Sequence, residues 1–272
     1  MVAESTISTI RVAIAQIASS GDTAENLATA VGMIERAAAQ GAQLVVLPEA
    51  TSANFACPTS ESEQPLDGPF ASGIREAAAA AGIVAIVGMF EPSGDGRSFN
   101  TLLVTGRAAG QTVETAYRKV HLFDAFGSKE SDTVRPGDGY VTFALGDITV
   151  GLATCYDLRF ADQFTALGLA GADLVCVSAS WGDGPGKDEQ WDLLTRARAL
   201  DSQAWLVACD QAWQPPQGTA PLGVGRSAVI DPLGVVRARL SSAPDLLVTD
   251  IDLTLTADVR ARVPVLASLR AQ

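Results

Sequence analysis

Histidine is nearly missing from this chain of 272 residues: His121 is the only one. A centre built from His and Cys ligands is therefore not expected, the carboxylates show no calcium-loop spacing, and no metal is assigned. Cysteine is scarce as well. Cys57, Cys155, Cys176 and Cys209 are widely spaced and include no Cys-x-x-Cys pair, which speaks against a disulfide framework or a zinc knuckle. Cations are outnumbered, with 19 Lys and Arg against 31 Asp and Glu and a formal charge of −12, a poor match for nucleic acid or an anionic membrane surface. No apolar run approaches the roughly 18 residues that span a bilayer. The first six residues, Met-Val-Ala-Glu-Ser-Thr, lack the basic region and apolar stretch of a secretory signal, so a cytoplasmic location is the expectation.

What the chain does have is buried-type aliphatic residues: 47% are hydrophobic and only 6% aromatic. That is the composition of a packed globular protein, and α/β enzymes of about 250 residues often form one domain, so a single domain over 1–272 is expected. The pattern alternates strands and helices. A strand over 10–17 leads to a helix capped by Asp22 or Thr23, with Leu27, Val31, Ile34 and Ala38 at helical spacing and Gly41 ending it. Leu44 to Leu47 reads as a buried strand, a loop runs to about 68, and a helix over 69–81 sits between Pro69 and Gly82. Strands follow at 83–90, 99–105 and 111–120, with a turn at 93–96, and then a loop over 122–139 that is long enough to be functional. Strands at 140–145 and 148–154, a helix over 160–170, a strand over 173–178, a helix over 189–203 and a strand over 204–209 come next. Short strands near 226–231, 235–240 and 246–252 make an antiparallel finish. The order implies one α/β domain whose sheets are covered by helices.

The most informative stretch is 148–160. Val150, Leu152 and Thr154 alternate as a buried strand does, and the apolar run stops at Cys155, placing a thiol at the mouth of a sheet. A free thiol, with a pKa of about 8.5, needs a partner base at neutral pH. Cys176 and Cys209 lie inside apolar runs and read as core. Glu49 follows Pro48 at the end of a buried strand, and Lys119 lies at the end of another. The segment from Trp181 to Lys187 is glycine-rich but fails the spacing of a phosphate loop, and reads as a mobile loop lining a site.

Three motifs in order, Leu-Pro-Glu-Ala at 47–50, Tyr-Arg-Lys-Val-His-Leu-Phe-Asp at 117–124 and Thr-Cys-Tyr-Asp-Leu-Arg-Phe at 154–160, resemble those of the nitrilase, or carbon-nitrogen hydrolase, superfamily. The helix from Gln190-Trp191 to Gln203 extends the likeness over nearly the whole chain. The resemblance implies a four-layer αββα sandwich, usually paired into a homodimer or larger homo-oligomer. It implies Cys155 as nucleophile, Glu49 as general base, Lys119 as the cation at the tetrahedral intermediate, and Glu130 as a second glutamate positioning lysine and substrate. Substrate contacts are expected from Tyr156, Arg159 and Trp181. The reaction implied is cleavage of a small amide through a cysteine thioester, with no metal and no organic cofactor. Cys-Tyr-Asp-Leu-Arg-Phe is closer to the branches acting on ω-amides and deaminated glutathione than to true nitrilases. Ala161, where proline usually stands, and Gln190, where a histidine commonly precedes the tryptophan, depart from the pattern.

The physical chemistry runs beside the resemblance. A glutamate near 4.3 is a weak base for a thiol near 8.5. Burial raises a carboxylate and a nearby ammonium lowers a thiol, so a Glu, Lys and Cys cluster excluded from water is expected to share one mobile proton. Arg159, four residues after the nucleophile, can hold a substrate carboxylate through two parallel hydrogen bonds, or alternatively pair with Asp157 or Asp162. The competing readings are a nitrile or N-carbamoyl hydrolase of the same fold, a Cys-His hydrolase using His121, and a non-catalytic scaffold.

Overall fold

The computed structural model describes residues 9–108, 110–218, 220 and 222–270; the amino-terminal segment read above for a signal lies outside them. The chain runs β1 (Thr9–Gln16), α1 (Thr23–Ala39), β2 (Leu44–Val46), α2 (Thr59–Ser62), α3 (Pro69–Ala81), β3 (Val84–Pro92), β4 (Ser98–Ala108) and β5 (Gln111–Arg118). It continues through β6 (Thr142–Leu145), β7 (Ile148–Thr154), α4 (Ala161–Leu169), β8 (Leu174–Ala179), α5 (Lys187–Ser202) and β9 (Trp205–Asp210). The last elements are β10 (Ala228–Ile230), β11 (Val236–Arg239), β12 (Asp245–Asp252), α6 (Thr254–Arg262) and α7 (Val265–Arg270). Single 3₁₀ turns cover Glu130–Asp132 and Cys155–Arg159.

The strands form two six-stranded sheets, ordered β12-β1-β2-β3-β4-β5 and β11-β10-β9-β8-β7-β6. Each has three parallel strands at its centre, β1-β2-β3 in one and β7-β8-β9 in the other, flanked by antiparallel neighbours. Strand periodicity explains the layers. Val12 and Ile14 of β1, Leu44 and Val46 of β2, Val150 and Leu152 of β7, and Cys176 and Cys209 meet in one core between the sheets. The alternate residues Ala13, Ala15, Val45 and Leu47 pack beneath Ile34 of α1 and Phe70 and Ile74 of α3. On the other side Ala153, Val175, Val177 and Leu206 pack beneath Phe164 of α4 and Ala199 of α5. This is the four-layer αββα arrangement expected from sequence, with Cys176 and Cys209 in its centre as read.

Local signals explain several boundaries. Asp22 caps α1 by accepting from the N–H groups of Ala24 and Glu25. Pro69 opens α3 and Gly82, at φ +67°, closes it. Other elements depart from expectation. The three last strands do not form one finish: β10 and β11 extend the second sheet, whereas β12 crosses to the first and pairs with β1 from Thr9↔Asp252 to Gln16↔Asp245. Alternation alone specifies a strand's two faces, not its sheet. A short helix, α2, lies in the expected loop before 68. The unforeseen α6 buries little more than Thr256 and Val259, too sparse a stripe to be read as a helical period. Strand β5 ends at Arg118, so Lys119 already belongs to the following loop, and α5 begins at Lys187 rather than 189.

The parallel centres decide where chemistry can lie. Strands β2, β7, β8 and β9 all point their carboxyl ends to one end of the sandwich, where open α/β folds place their sites. Gly88 of β3 permits the close approach of the segment after β2: a Cβ there would lie 2.4 Å from Pro48 O and 2.7 Å from Glu49 Cα. Those are backbone atoms that cannot swing aside. Gly88→Ala is therefore expected to destabilise the fold by about 1–3 kcal/mol, the usual cost of overpacking. Gly32, in the middle of α1 with open space around its missing Cβ, is the control: Gly32→Ala should stabilise by up to about 1 kcal/mol through helix propensity. Denaturant midpoints of the two variants moving in the same direction would contradict this account of Gly88.

Candidate active site

The thiol is delivered by a strained turn. Strand β7 ends at Thr154, and Cys155, buried, takes φ +45°, a left-handed conformation that a residue with a Cβ adopts only when its surroundings enforce it. Asp157 supplies that enforcement. Its carboxylate accepts the Thr154 N–H at 2.7 Å, the Tyr117 hydroxyl at 2.6 Å, and the His121 backbone N–H at 3.1 Å. His121 Nδ1 lies 2.8 Å from the same carboxylate, and the imidazole stacks on Phe160 with ring centres 3.7 Å apart. His121 is thus committed to the turn, consistent with its structural reading and not with a base at the thiol.

Glu49, Lys119 and Glu130 come from three separate segments and meet beside this turn. Lys119, only 2% exposed, places Nζ 2.9 Å from Glu49 Oε1, and 2.9 and 3.1 Å from the two oxygens of Glu130. Asn100 of β4 ties the carboxylates together, donating Nδ2 to Glu49 at 2.7 Å and to Glu130 at 3.1 Å. The other Glu49 oxygen accepts the Ser180 N–H at 2.8 Å, at the end of β8, and Glu130 accepts the Phe123 N–H at 2.6 Å. The charges of Glu49 and Lys119 both act on the Cys155 thiol.

Burial is the first influence on the titration of this cluster. It works against the Lys119 ammonium, but the charges of Glu130 and Glu49 overcome it and hold Lys119 well above the ordinary lysine range. Burial and then the Glu49 carboxylate push the Cys155 thiol well above its ordinary value, a rise that the opposing charge of Lys119 only partly offsets. The sequence-based expectation of a thiol lowered by the ammonium is corrected here: in the resting site, desolvation and the adjacent carboxylate outweigh that cation.

All seven residues singled out in the sequence line one cavity of about 1010 Å³. Beside the cluster lie Tyr156, Arg159 and Trp181. The Arg159 guanidinium donates to Gln190 Oε1 at 2.7 Å and lies 4.9 Å from the Trp181 ring centre and 5.7 Å from that of Tyr156. Among the described residues no ion pair joins it to Asp157 or Asp162. Trp181 is fixed at both ends, its backbone N–H bonded to Asp210 Oδ1 at 2.7 Å and its indole N–H to the carbonyl of Lys187 at 3.0 Å. The loop from 182 to 186 lines the cavity as expected, but its flanks are tied down. No group of three or more His, Cys, Asp or Glu side chains among the described residues is arranged to hold a metal ion.

Four participants escaped sequence reasoning. Asn100 carried a faint signal, an amide inside a strand where Asn is disfavoured. Asp157 carried a local signal, the Thr-x-x-Asp spacing of a capping box with Thr154, whereas Ser180 and Asp210 gave none that periodicity could detect, since each acts through a contact across separate segments. Asp210 accepts the N–H groups of Trp181 and Val224, while burial raises its carboxyl well above the usual range and the charge of Glu49 adds to that rise.

Comparison with known proteins agrees with this geometry. The chain is 47% identical over 264 residues to Hydrolase Rv0480c of Mycobacterium tuberculosis, covering 94% of each. It is 34% identical over 250 residues to the deaminated glutathione amidase of Escherichia coli O157:H7, covering 90% of this chain and 92% of that one. Among solved structures, the C. elegans NitFhit protein superposes with a TM-score of 0.84 at 28% identity, over 96% of this chain and 65% of that one. The model of the carbon-nitrogen hydrolase family matches residues 11–261, and with that match the chain belongs to the carbon-nitrogen hydrolase family of the nitrilase superfamily.

Proposed function

We propose that the protein hydrolyses a small amide bearing a carboxylate remote from the scissile bond, through a thioester on Cys155 and with release of ammonia. The observation that carries this reading is the Lys119 ammonium clamped between two buried carboxylates, in a cavity that the Cys155 thiol also lines. In the proposed reaction Sγ attacks the amide carbon as its proton passes to Glu49. The oxyanion of the tetrahedral intermediate faces Lys119 Nζ and the Tyr156 N–H. Removing one donor of this kind typically costs about 3–4 kcal/mol of transition-state stabilisation. The intermediate collapses when Glu49 returns the proton to the leaving nitrogen, and ammonia departs. Glu49 then takes a proton from water, whose oxygen attacks the thioester, and the carboxylic acid product leaves as the thiol is reprotonated. Glu130 positions Lys119, and Arg159 grips the remote carboxylate. Nitriles and N-carbamoyl compounds offer the same electrophilic carbon and belong in the same substrate screen. Assembly into a homodimer or larger homo-oligomer belongs to the proposal on family grounds.

Three experiments test these roles. Intact-mass analysis during turnover should show an acyl adduct that maps to Cys155, and full activity in Cys155→Ala would end the proposal. Glu49→Gln keeps the shape but cannot take the thiol proton, so kcat should fall at least about a hundredfold, whereas His121→Asn should act mainly through a lower melting temperature. A reversed outcome would favour the Cys-His reading. Arg159→Lys replaces a planar two-pronged donor by a point charge, so kcat/KM should fall for carboxylated amides and be spared for neutral amides of similar size. Equal losses on both, with a lower melting temperature, would assign Arg159 to structure.

A further inference from the structure

Lys187 has no part in the reaction above, yet its side chain lines the same cavity. The chain has three lysines, and Lys119 and Lys129 each sit against a carboxylate at 2.9 and 2.5 Å. Lys187 forms no ion pair among the described residues. Its position is electrostatically awkward on two counts. It opens α5, where the helix dipole disfavours a cation, although the next two residues, Asp188 and Glu189, suit that end. It also shares the cavity with a second cation: Lys187 Nζ lies 5.3 Å from the Trp181 ring centre, and the Arg159 guanidinium lies 4.9 Å from the same ring. Burial, and then the charge of Arg159, hold the Lys187 ammonium below the ordinary lysine range.

Despite these costs the ammonium is held in place. Its Nζ lies 4.4 Å from the ring centre of Phe126 and 5.5 Å from that of Phe123, contacts that orient a cation without neutralising it. Its backbone is fixed as well, the carbonyl by the Trp181 indole at 3.0 Å and the N–H by the Gly184 carbonyl at 3.1 Å. Among the described residues, two preorganised cations therefore face the cavity without a carboxylate on either, while the carboxylates of the catalytic cluster are already engaged with Lys119.

We propose that Lys187 is a second anion contact of this pocket and that the substrate is an amide whose acyl part carries two carboxylates, one for Arg159 and one for Lys187. The inference rests on the amide-hydrolase reading of the same cavity and names its substrate class. A single carboxylate on Arg159 leaves the half-buried ammonium uncompensated, whereas a second relieves both its desolvation and its repulsion from Arg159. The cavity, at about 1010 Å³, has room for a branched acid of this size.

The test uses the full chain and three amides on one five-carbon backbone: pentanamide, the monoamide of glutaric acid, and the terminal monoamide of propane-1,2,3-tricarboxylic acid. They carry none, one and two carboxylates. Wild type should prefer the third to the second in kcat/KM for ammonia release. Lys187→Met, which keeps the stem against the rings, should lower that two-over-one ratio at least about tenfold, and Lys187→Arg should restore most of it. The one-over-none ratio reports instead on Arg159, so a flat value there overturns the carboxylate reading of the proposed function while the two-over-one ratio still judges Lys187. Calorimetric binding of free glutaric acid and propane-1,2,3-tricarboxylic acid gives the Lys187 comparison independently of turnover. A two-over-one ratio in Lys187→Met within about twofold of wild type, by kinetics and by binding, would overturn the inference, as would a wild-type preference for the one-carboxylate amide. Lys187→Gln serves as a second variant should the methionine perturb the melting temperature.

Discussion

An ammonium buried between two carboxylates is expensive to assemble and expensive to disturb. Taking these three charges from water costs several kcal/mol per ion, and removing one partner from such a set typically costs about 3–5 kcal/mol because a charge is left uncompensated. Lys119 can occupy its position only because Glu49 and Glu130 are both within 2.9 Å, and the two carboxylates tolerate each other only because the ammonium and the Asn100 amide stand between them. Backbone N–H groups of Ser180 and Phe123 complete the shell. Four segments far apart in sequence are therefore held in register by one buried cation.

That requirement gives the double-sheet architecture a functional reason. Glu49 follows β2 of one sheet, and Ser180 and Cys155 follow β8 and β7 of the other. Contacts across the sandwich fix the relative height of the two sheets at this end: Ser178 Oγ donates to the Leu47 carbonyl at 2.7 Å, and the Gln211 amide donates to the Glu49 carbonyl at 2.9 Å. The apolar core between the sheets supplies the stability against which the charged cluster and the left-handed Cys155 are held. Asp157 then aims the thiol from one side while Gly88 lets the Glu49 segment press in from the other.

The sequence made some of this legible and hid the rest for physical reasons. Glu49 and Cys155 stand out because each ends an apolar run, where a polar residue is conspicuous against the strand pattern. Helices α1 and α3 were readable from their caps. Asn100 and Asp210 are not, since their partners lie on other elements and nothing local distinguishes a polar residue that stabilises a site from one that merely ends a strand; Asp157 has a local partner in Thr154, but its bonds to Tyr117 and His121 cross to another segment. The crossing of β12 to the first sheet was hidden for the same reason, as pairing partners are a property of the whole fold. The glycine-rich stretch before α5 reads as a mobile loop lining a site, and the cation at its end gains a role only when its neighbours are known, since no ion pair holds Lys187 among the described residues. The state of the thiol is not legible in the sequence because it is set by burial and by Glu49, which outweigh the nearby cation.

The neutral thiol and the charged triad together bear on how the proposed reaction avoids building charge in a buried place. The proposed reaction starts from one ammonium, two carboxylates and a thiol, a net charge of minus one. When Sγ attacks and its proton moves to Glu49, the negative charge that leaves Glu49 reappears on the substrate oxygen, and the ammonium of Lys119 stands beside both positions. Net charge in the buried cluster is unchanged, so the step redistributes charge around a fixed cation rather than creating it in a medium of low polarity. A thiol permanently lowered to thiolate would forgo this, since the buried cluster would then carry an extra negative charge before substrate arrived. In the proposed reaction a raised thiol suits an oxyanion-forming step beside Lys119, and Glu130 stays paired with the ammonium while Glu49 gains and loses the proton, which gives the second glutamate a part in that step alongside the base.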